Sequence, residues 1–212
     1  MRQIKFSSKT PREFKASRKD SGLEILVYDI IGRDLFGGGV TAQDIADKLD
    51  EAGKLESITL RINSPGGDLF EGLTIQNLLQ SKGLPVNVFV DGEAASAATI
   101  VMLAGNTITM GEGSMLFIHN AWTLAAGNAV ELRKTADDLE KISGEMRKLY
   151  AERTGIPEQE IQALMDAETF LTAEEAVAKK FADNIATTKV ETSAKSPESL
   201  TRAQFEHELS VL

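Results

Sequence analysis

Apolar residues along this chain recur with two periods, and the switches between them mark its elements. Leu23–Ile31 is an apolar run of strand length, and Ser57–Ile62 (SITLRI) alternates as a half-buried strand does. Val86, Val88 and Val90 form a third strand, followed by a turn signal at Asp91-Gly92 and an apolar helix opening at Ala94–Ala98. Helical spacing follows each of the first two strands. Thr41, with Asp44 three residues on, caps a helix carrying Ile45, Ala46 and Leu49 that stops at Gly53. Leu69–Gln80 carries Leu69, Leu73, Gln76 and Leu79 on one face. Strand, turn and helix thus occur three times in succession. That pattern predicts α/β architecture with parallel strands and helical crossovers, and ligands in such folds sit at the carboxyl ends of the strands.

Two further short strands, Asn106–Met110 and Met115–His119, are joined by a Gly-Glu-Gly turn. From Ala129 a long charged helix runs to Gly155, with Val130, Leu132, Leu139, Ile142, Met146, Leu149 and Tyr150 as its apolar stripe. A helix of that length is expected to protrude and pack on another subunit. Pro157 starts a shorter helix with Ile161 and Leu164, and Thr172 to Glu175 reads as a capping box for one more. Residues 1–20 read as a flexible arm or frayed lead-in, and residues 187–212 as a polar tail with a weak final helix.

Composition narrows the function. A chain of 212 residues, 42% hydrophobic, buries one substantial core, here placed at residues 21–186. With 23 basic and 32 acidic residues its formal charge is −9, which tells against a nucleic-acid partner. The absence of cysteine excludes disulfides, thiolate metal sites and a cysteine nucleophile. No apolar run reaches the roughly 18 residues of a membrane span, and no signal-peptide core is present, so the reading is a soluble cytoplasmic protein.

The chemistry-bearing residue is Ser96. It stands where the third strand meets a helix, among small residues, at the positive end of the helix dipole. The plainest role there is a helix N-cap. The alternative is an acyl-transfer nucleophile, which needs a base and an oxyanion hole. Of the two histidines, His207 lies in the polar tail, whereas His119 ends an apolar strand at the mouth of a turn. Gly66-Gly67 follows a strand and precedes a helix, so the N–H groups of Gly67 and of Ala97 are the candidate donor pair; a turn that needs glycine for its backbone alone is the other reading.

These residues carry a resemblance. Asn63-Ser64-Pro65-Gly66-Gly67, Gly92 to Ala97 (GEAASA), Phe117-Ile118-His119-Asn120 and Thr169 to Val177 (TFLTAEEAV) occur in the order and approximate spacing seen in the ClpP family of self-compartmentalising serine peptidases. The resemblance implies the spiral of β-β-α units shared by ClpP and crotonase proteins, with a protruding handle helix at Ala129–Gly155. It implies Ser96 as nucleophile, His119 as base, and Gly67 and Ala97 as oxyanion donors. Family members place an aspartate two residues before the phenylalanine of the last motif. Here that position is Glu168, with Asp166 as the nearby alternative acid. No metal or organic cofactor is implied. The implied partners are polypeptide substrates and further copies of the chain in a heptameric ring or double ring.

The run IIGRDLFGGGVTAQDIADKL and His119-Asn120-Ala121-Trp122 resemble the phage- and prophage-encoded branch, whose peptidases cut scaffold or capsid proteins. The N-terminal arm does not resemble the family's axial-loop segment, which counts against docking of an AAA+ unfoldase. Two rivals share the fold: a crotonase-type acyl-CoA enzyme, which uses the oxyanion hole without a Ser–His pair, and a catalytically silent assembly component.

Overall fold

The computed structural model describes residues 13–33 and 38–186. Its elements in chain order are β1 (Glu13–Lys19), β2 (Gly22–Tyr28), α1 (Ala42–Ala52), β3 (Ser57–Ser64), α2 (Leu69–Ser81), β4 (Val86–Ala95), α3 (Ala97–Met102), β5 (Thr107–Met110), β6 (Met115–Ile118), α4 (Ala129–Thr154), α5 (Glu158–Asp166), β7 (Thr169–Thr172), α6 (Ala173–Ala178) and β8 (Asn184–Ile185). The three strand-to-helix repeats are present, and β2, β3 and β4 are parallel neighbours. The sheet runs β1-β2-β3-β4-β5-β8, while β6 pairs with β4 and β7. This is the expected α/β architecture.

The core forms because the alternation in each central strand turns one full face inward. Leu23, Ile25 and Val27, then Ile58, Leu60 and Ile62, then Val86, Val88 and Val90 are all buried. Ile45, Leu49, Ile75, Leu79 and Ile100 from α1, α2 and α3 belong to the same cluster. Both capping boxes read from the sequence exist: Thr41 with Asp44 opens α1, and Thr172 with Glu175 opens α6. Gly53 ends α1 and left-handed Gly155 ends α4. Among the described residues no helix is long and apolar enough to cross a membrane.

Three features depart from the sequence reading. Residues 13–19 are not part of a frayed lead-in: β1 pairs antiparallel with β2 along its whole length, Phe14 and Ala16 pack on the core, and Arg18 donates to the carbonyls of Ala52 and Lys54. Only two apolar side chains alternate there, too few to register as a period. Residues 1–12 and the polar tail 187–212, with His207, lie outside the described residues.

Second, Asp91-Gly92 is not a turn. The β4 strand continues through it to Ala95, and the helix starts at Ala97 rather than Ala94. Residues 91–93 of β4 face the single residue Asn63 of β3, between the pairs Ile62↔Val90 and Ser64↔Ala94. The bulge brings Gly92 against the Asn63 side chain, so that a Cβ there would lie 2.5 Å from Asn63 Oδ1 and displace it. Third, the Gly-Glu-Gly turn between β5 and β6 is present, but the two strands it joins do not pair with each other. Both pair in parallel with β4, β5 before the bulge and β6 after it. The helix α4 protrudes as expected, its apolar stripe being buried only toward its end. Met146 and Tyr150 are buried, whereas Val130 is 74% and Leu132 42% exposed, so the front of the helix stands clear of the subunit.

Candidate active site

The bulge in β4 decides where the site lies. Beyond it, Glu93, Ala94 and Ala95 pair with Met115, Leu116 and Phe117 of β6, so the ends of both strands point the same way. The Ser96 N–H donates to the Phe117 carbonyl at 2.8 Å. Ser96 and His119 are thereby brought to one edge of the sheet, and both line a cleft of about 400 Å³ with Gly67, Trp122 and residues of α4.

Ser96 occupies the N-cap position of α3, yet its hydroxyl makes no capping hydrogen bond. Its backbone lies at φ 53°, ψ −124°, which costs an L-residue on the order of 1–3 kcal/mol and persists only when the surroundings impose it. A sharp strand-to-helix turn of this kind is how a serine hydroxyl is thrust out of a sheet toward a ligand. Strain and a missing cap bond together replace the simple N-cap role.

The turn Ser64–Gly67 presses directly on this elbow. A Cβ on Gly66 would collide with the Ala95 carbonyl and lie 2.8 Å from Ser96 Cβ, and Gly66 has φ 89°. The turn is pinned on its other side, where Ile31 N–H donates to Gly66 O at 2.8 Å and Asp68 N–H donates to Ile31 O at 2.9 Å. Gly67 sits between these two bonds, and its own N–H makes none among the described residues. The Ala97 N–H, at the first position of α3, is likewise unpaired, as helix geometry dictates. Two N–H groups without a hydrogen-bond partner among the described residues thus lie on the two segments, one carrying Gly66 and the other Ser96, that press on each other.

His119 follows β6 and is buried. Its ring stacks on Phe117, centroids 5.0 Å apart, and Phe117 stacks in turn on Phe170 at 4.3 Å. Burial pushes its pKa below the ordinary imidazole value. The hydrogen bond with the Asn120 backbone and the negative charge of Glu168 pull upward and only partly offset this. No hydrogen bond joins Ser96 Oγ to His119 in this structure, a contact that in an empty site often tightens only around substrate.

The two acids differ in what engages them. β6 and β7 are antiparallel, pairing Phe117 with Phe170 and Ile118 with Thr169. The pairing ends there, and Glu168, in the turn just before β7, is near enough for its negative charge to act on His119. Glu168 has φ 49°, one of four described non-glycine residues with positive φ, the others being Asp20, Ser96 and Lys180. Asp166, by contrast, is already engaged: its Oδ1 accepts from Asn120 Nδ2 at 2.8 Å and from Gln162 Nε2 at 2.5 Å. Neither acid makes a hydrogen bond to His119, and both are exposed.

Sequence reading did not foresee the far wall of the cleft, which is α4: Thr135, Asp138, Leu139, Ile142 and Met146 face Ser96 across it. The apolar stripe of α4 is the available signal, and part of it lines the cleft instead of packing on another subunit. Among the described residues no cluster of His, Asp and Glu could hold a metal ion.

Comparison with known proteins places this geometry. A protein-family model described as Clp protease matches residues 40–189. Among solved structures, a ClpP1 point mutant from Listeria monocytogenes is similar, with 25% sequence identity and a TM-score of 0.66 over 78% of this chain and 92% of that one.

Proposed function

Since the chain belongs to the Clp protease family and is a serine endopeptidase, we propose that Ser96 is its nucleophile, His119 its general base and Glu168 the acid that orients the base. Neutral His119 takes the Ser96 Oγ proton as Oγ attacks the scissile carbonyl carbon. The oxyanion of the tetrahedral intermediate accepts hydrogen bonds from Gly67 and Ala97 N–H. Protonated His119 then gives its proton to the leaving amine, and an acyl-enzyme on Ser96 remains. Water, deprotonated by His119, attacks the ester and restores Ser96. The chain's own groups carry every step. The apolar wall of Leu139, Ile142 and Met146 suits an apolar substrate side chain.

The observation that carries this reading is the strained, uncapped Ser96 opening on a cleft that His119 and Gly67 also line. A fluorophosphonate probe tests it. Covalent labelling at Ser96, located by mass spectrometry of the tryptic peptide, is the expected result. Absence of labelling in an assembled, folded protein would sink it.

Glu168 is favoured over Asp166 by its charge acting on His119 and by the amides that already engage Asp166. Its exposure limits the effect. Glu168→Gln is expected to lower kcat about tenfold to a hundredfold, less than loss of the nucleophile or base. Asp166→Asn should leave the rate near wild type. The reverse order in a peptide-cleavage assay would transfer the role to Asp166.

Assembly belongs to the same proposal. Exposed Val130 and Leu132 on the projecting half of α4 support burial against another subunit, in a ring or double ring that encloses the cleft. The resemblance of residues 30–49 and 119–122 to phage-encoded members supports scaffold or capsid polypeptides as natural substrates, rather than chains fed by an unfoldase. Genes for capsid and portal proteins beside this one are what that substrate choice requires.

A further inference from the structure

Ser96 holds a backbone conformation that an L-residue avoids, so something must impose it. Its N–H is fixed by the Phe117 carbonyl, and Gly66 packs so close to its Cβ that no side chain would fit between them. The Ser96 carbonyl accepts two hydrogen bonds from Thr99, one from the backbone N–H at 2.9 Å and one from Oγ1 at 2.6 Å. A threonine hydroxyl bonding back to a carbonyl of its own helix is common. Less common are the identity of the acceptor, which is the strained residue itself, and what stands behind the hydroxyl. Thr99 is fully buried, and Tyr150 OH lies 2.5 Å from its Oγ1.

The proton count orders this chain. Thr99 has one hydroxyl proton, and the bond to the Ser96 carbonyl uses it, so Tyr150 must be the donor to Thr99. Tyr150 is fully buried on α4, its ring edge-on to Phe181 with centroids 5.7 Å apart. Burial also pushes its hydroxyl well above the ordinary phenol value, so the donor proton stays in place. No other hydrogen bond of the Tyr150 hydroxyl occurs among the described residues.

We propose that the buried relay from Tyr150 OH through Thr99 Oγ1 to the Ser96 carbonyl is a positioning device for the nucleophile, with Thr99 and Tyr150 as positioning residues that touch no substrate. The proposal rests on Ser96 being the nucleophile. Each hydrogen bond polarises the next, and the last one falls on the peptide group whose orientation aims Oγ. A displacement of the nucleophile by a fraction of an ångström is felt in the chemical step and not in substrate binding.

A merely structural role would give a different pattern across four variants. Thr99→Val removes the hydroxyl, strands the buried Tyr150 proton and lowers Tm by several degrees. Thr99→Val combined with Tyr150→Phe removes both polar partners and recovers most of that Tm, since a pair replaced together leaves nothing unsatisfied. Both proteins are expected to show kcat, and the rate of fluorophosphonate labelling at Ser96, reduced about tenfold to a hundredfold with KM unchanged. Thr99→Ser, which keeps the hydroxyl, stays near wild type, and Tyr150→Phe alone falls between. Recovery of rate together with Tm in the double variant would show that Thr99 and Tyr150 only pack, and labelling of Thr99→Val at the wild-type rate would overturn the relay as well. A wild-type protein that takes no label at Ser96 overturns the nucleophile assignment and the relay with it, a result distinguishable from the other two.

Discussion

Peptide cleavage by a Ser96→Ala protein is expected to fall about 10⁴–10⁶-fold while the fold stays intact. The two halves of that result come from one local fact. As an ordinary N-cap, Ser96 would accept a hydrogen bond from the first turn of α3, and alanine would cost about 0.5–2 kcal/mol of stability with no consequence for chemistry. The Ser96 hydroxyl makes no such bond, and alanine is as strained at φ 53° as serine is. Thermal melts of the two proteins should therefore coincide. Removing Oγ leaves the two N–H donors and the cleft in place but no atom to attack the carbonyl, so only binding and electrostatic stabilisation persist. Parallel assays on a fluorogenic peptide and on casein, with a melting curve for each protein, read both halves. Wild-type turnover in the variant would end the nucleophile assignment, and a lowered Tm with unchanged turnover would return Ser96 to a capping role.

What the sequence could show was local, and what it missed was pairing at a distance. Thr41 and Asp44, or Thr172 and Glu175, are three residues apart, so their capping boxes are visible in one dimension. The alternation of Ile58, Leu60 and Ile62 declares a strand with one buried face in the same way. β1 escaped because Phe14 and Ala16 alone gave no period, and its stability comes from β2 and from Arg18 reaching the end of α1. Asp91-Gly92 has the composition of a turn, and only the lattice of β3 and β6 on either side makes it a bulge. Ser96, His119 and Gly67 could be picked out because each sits at the end of a locally recognisable strand. The choice between Glu168 and Asp166 could not be made that way. It depends on the nearness of the Glu168 charge to His119, and on amides of Asn120 and Gln162 that occupy Asp166. The Thr99–Tyr150 contact spans 51 residues between two helices, and no periodicity within either one announces it.

His119→Gln is expected to lose about 10⁴-fold or more in kcat/KM, comparable with loss of Ser96, because nucleophile and base act as one unit. The pH dependence of the wild-type enzyme supplies the independent check. The base works only when neutral, so kcat/KM must fall as the pH drops through the His119 pKa. Burial sets that pKa below the ordinary imidazole value of about 6.5, so the rate should hold its plateau below that pH before declining. Glu168 opposes the shift, since its charge favours the imidazolium. In Glu168→Gln the inflection should therefore move further to acid, even as the plateau itself is lowered. The same burial makes the unfolded chain the stronger proton acceptor at this site, so stability too declines as the pH falls through this window. Labelling rates at Ser96 should accordingly be compared only where melting curves show the protein folded. An inflection above 6.5 in the wild type, or one that moves upward in Glu168→Gln, would mean that the titrating base is not a buried His119 facing a carboxylate.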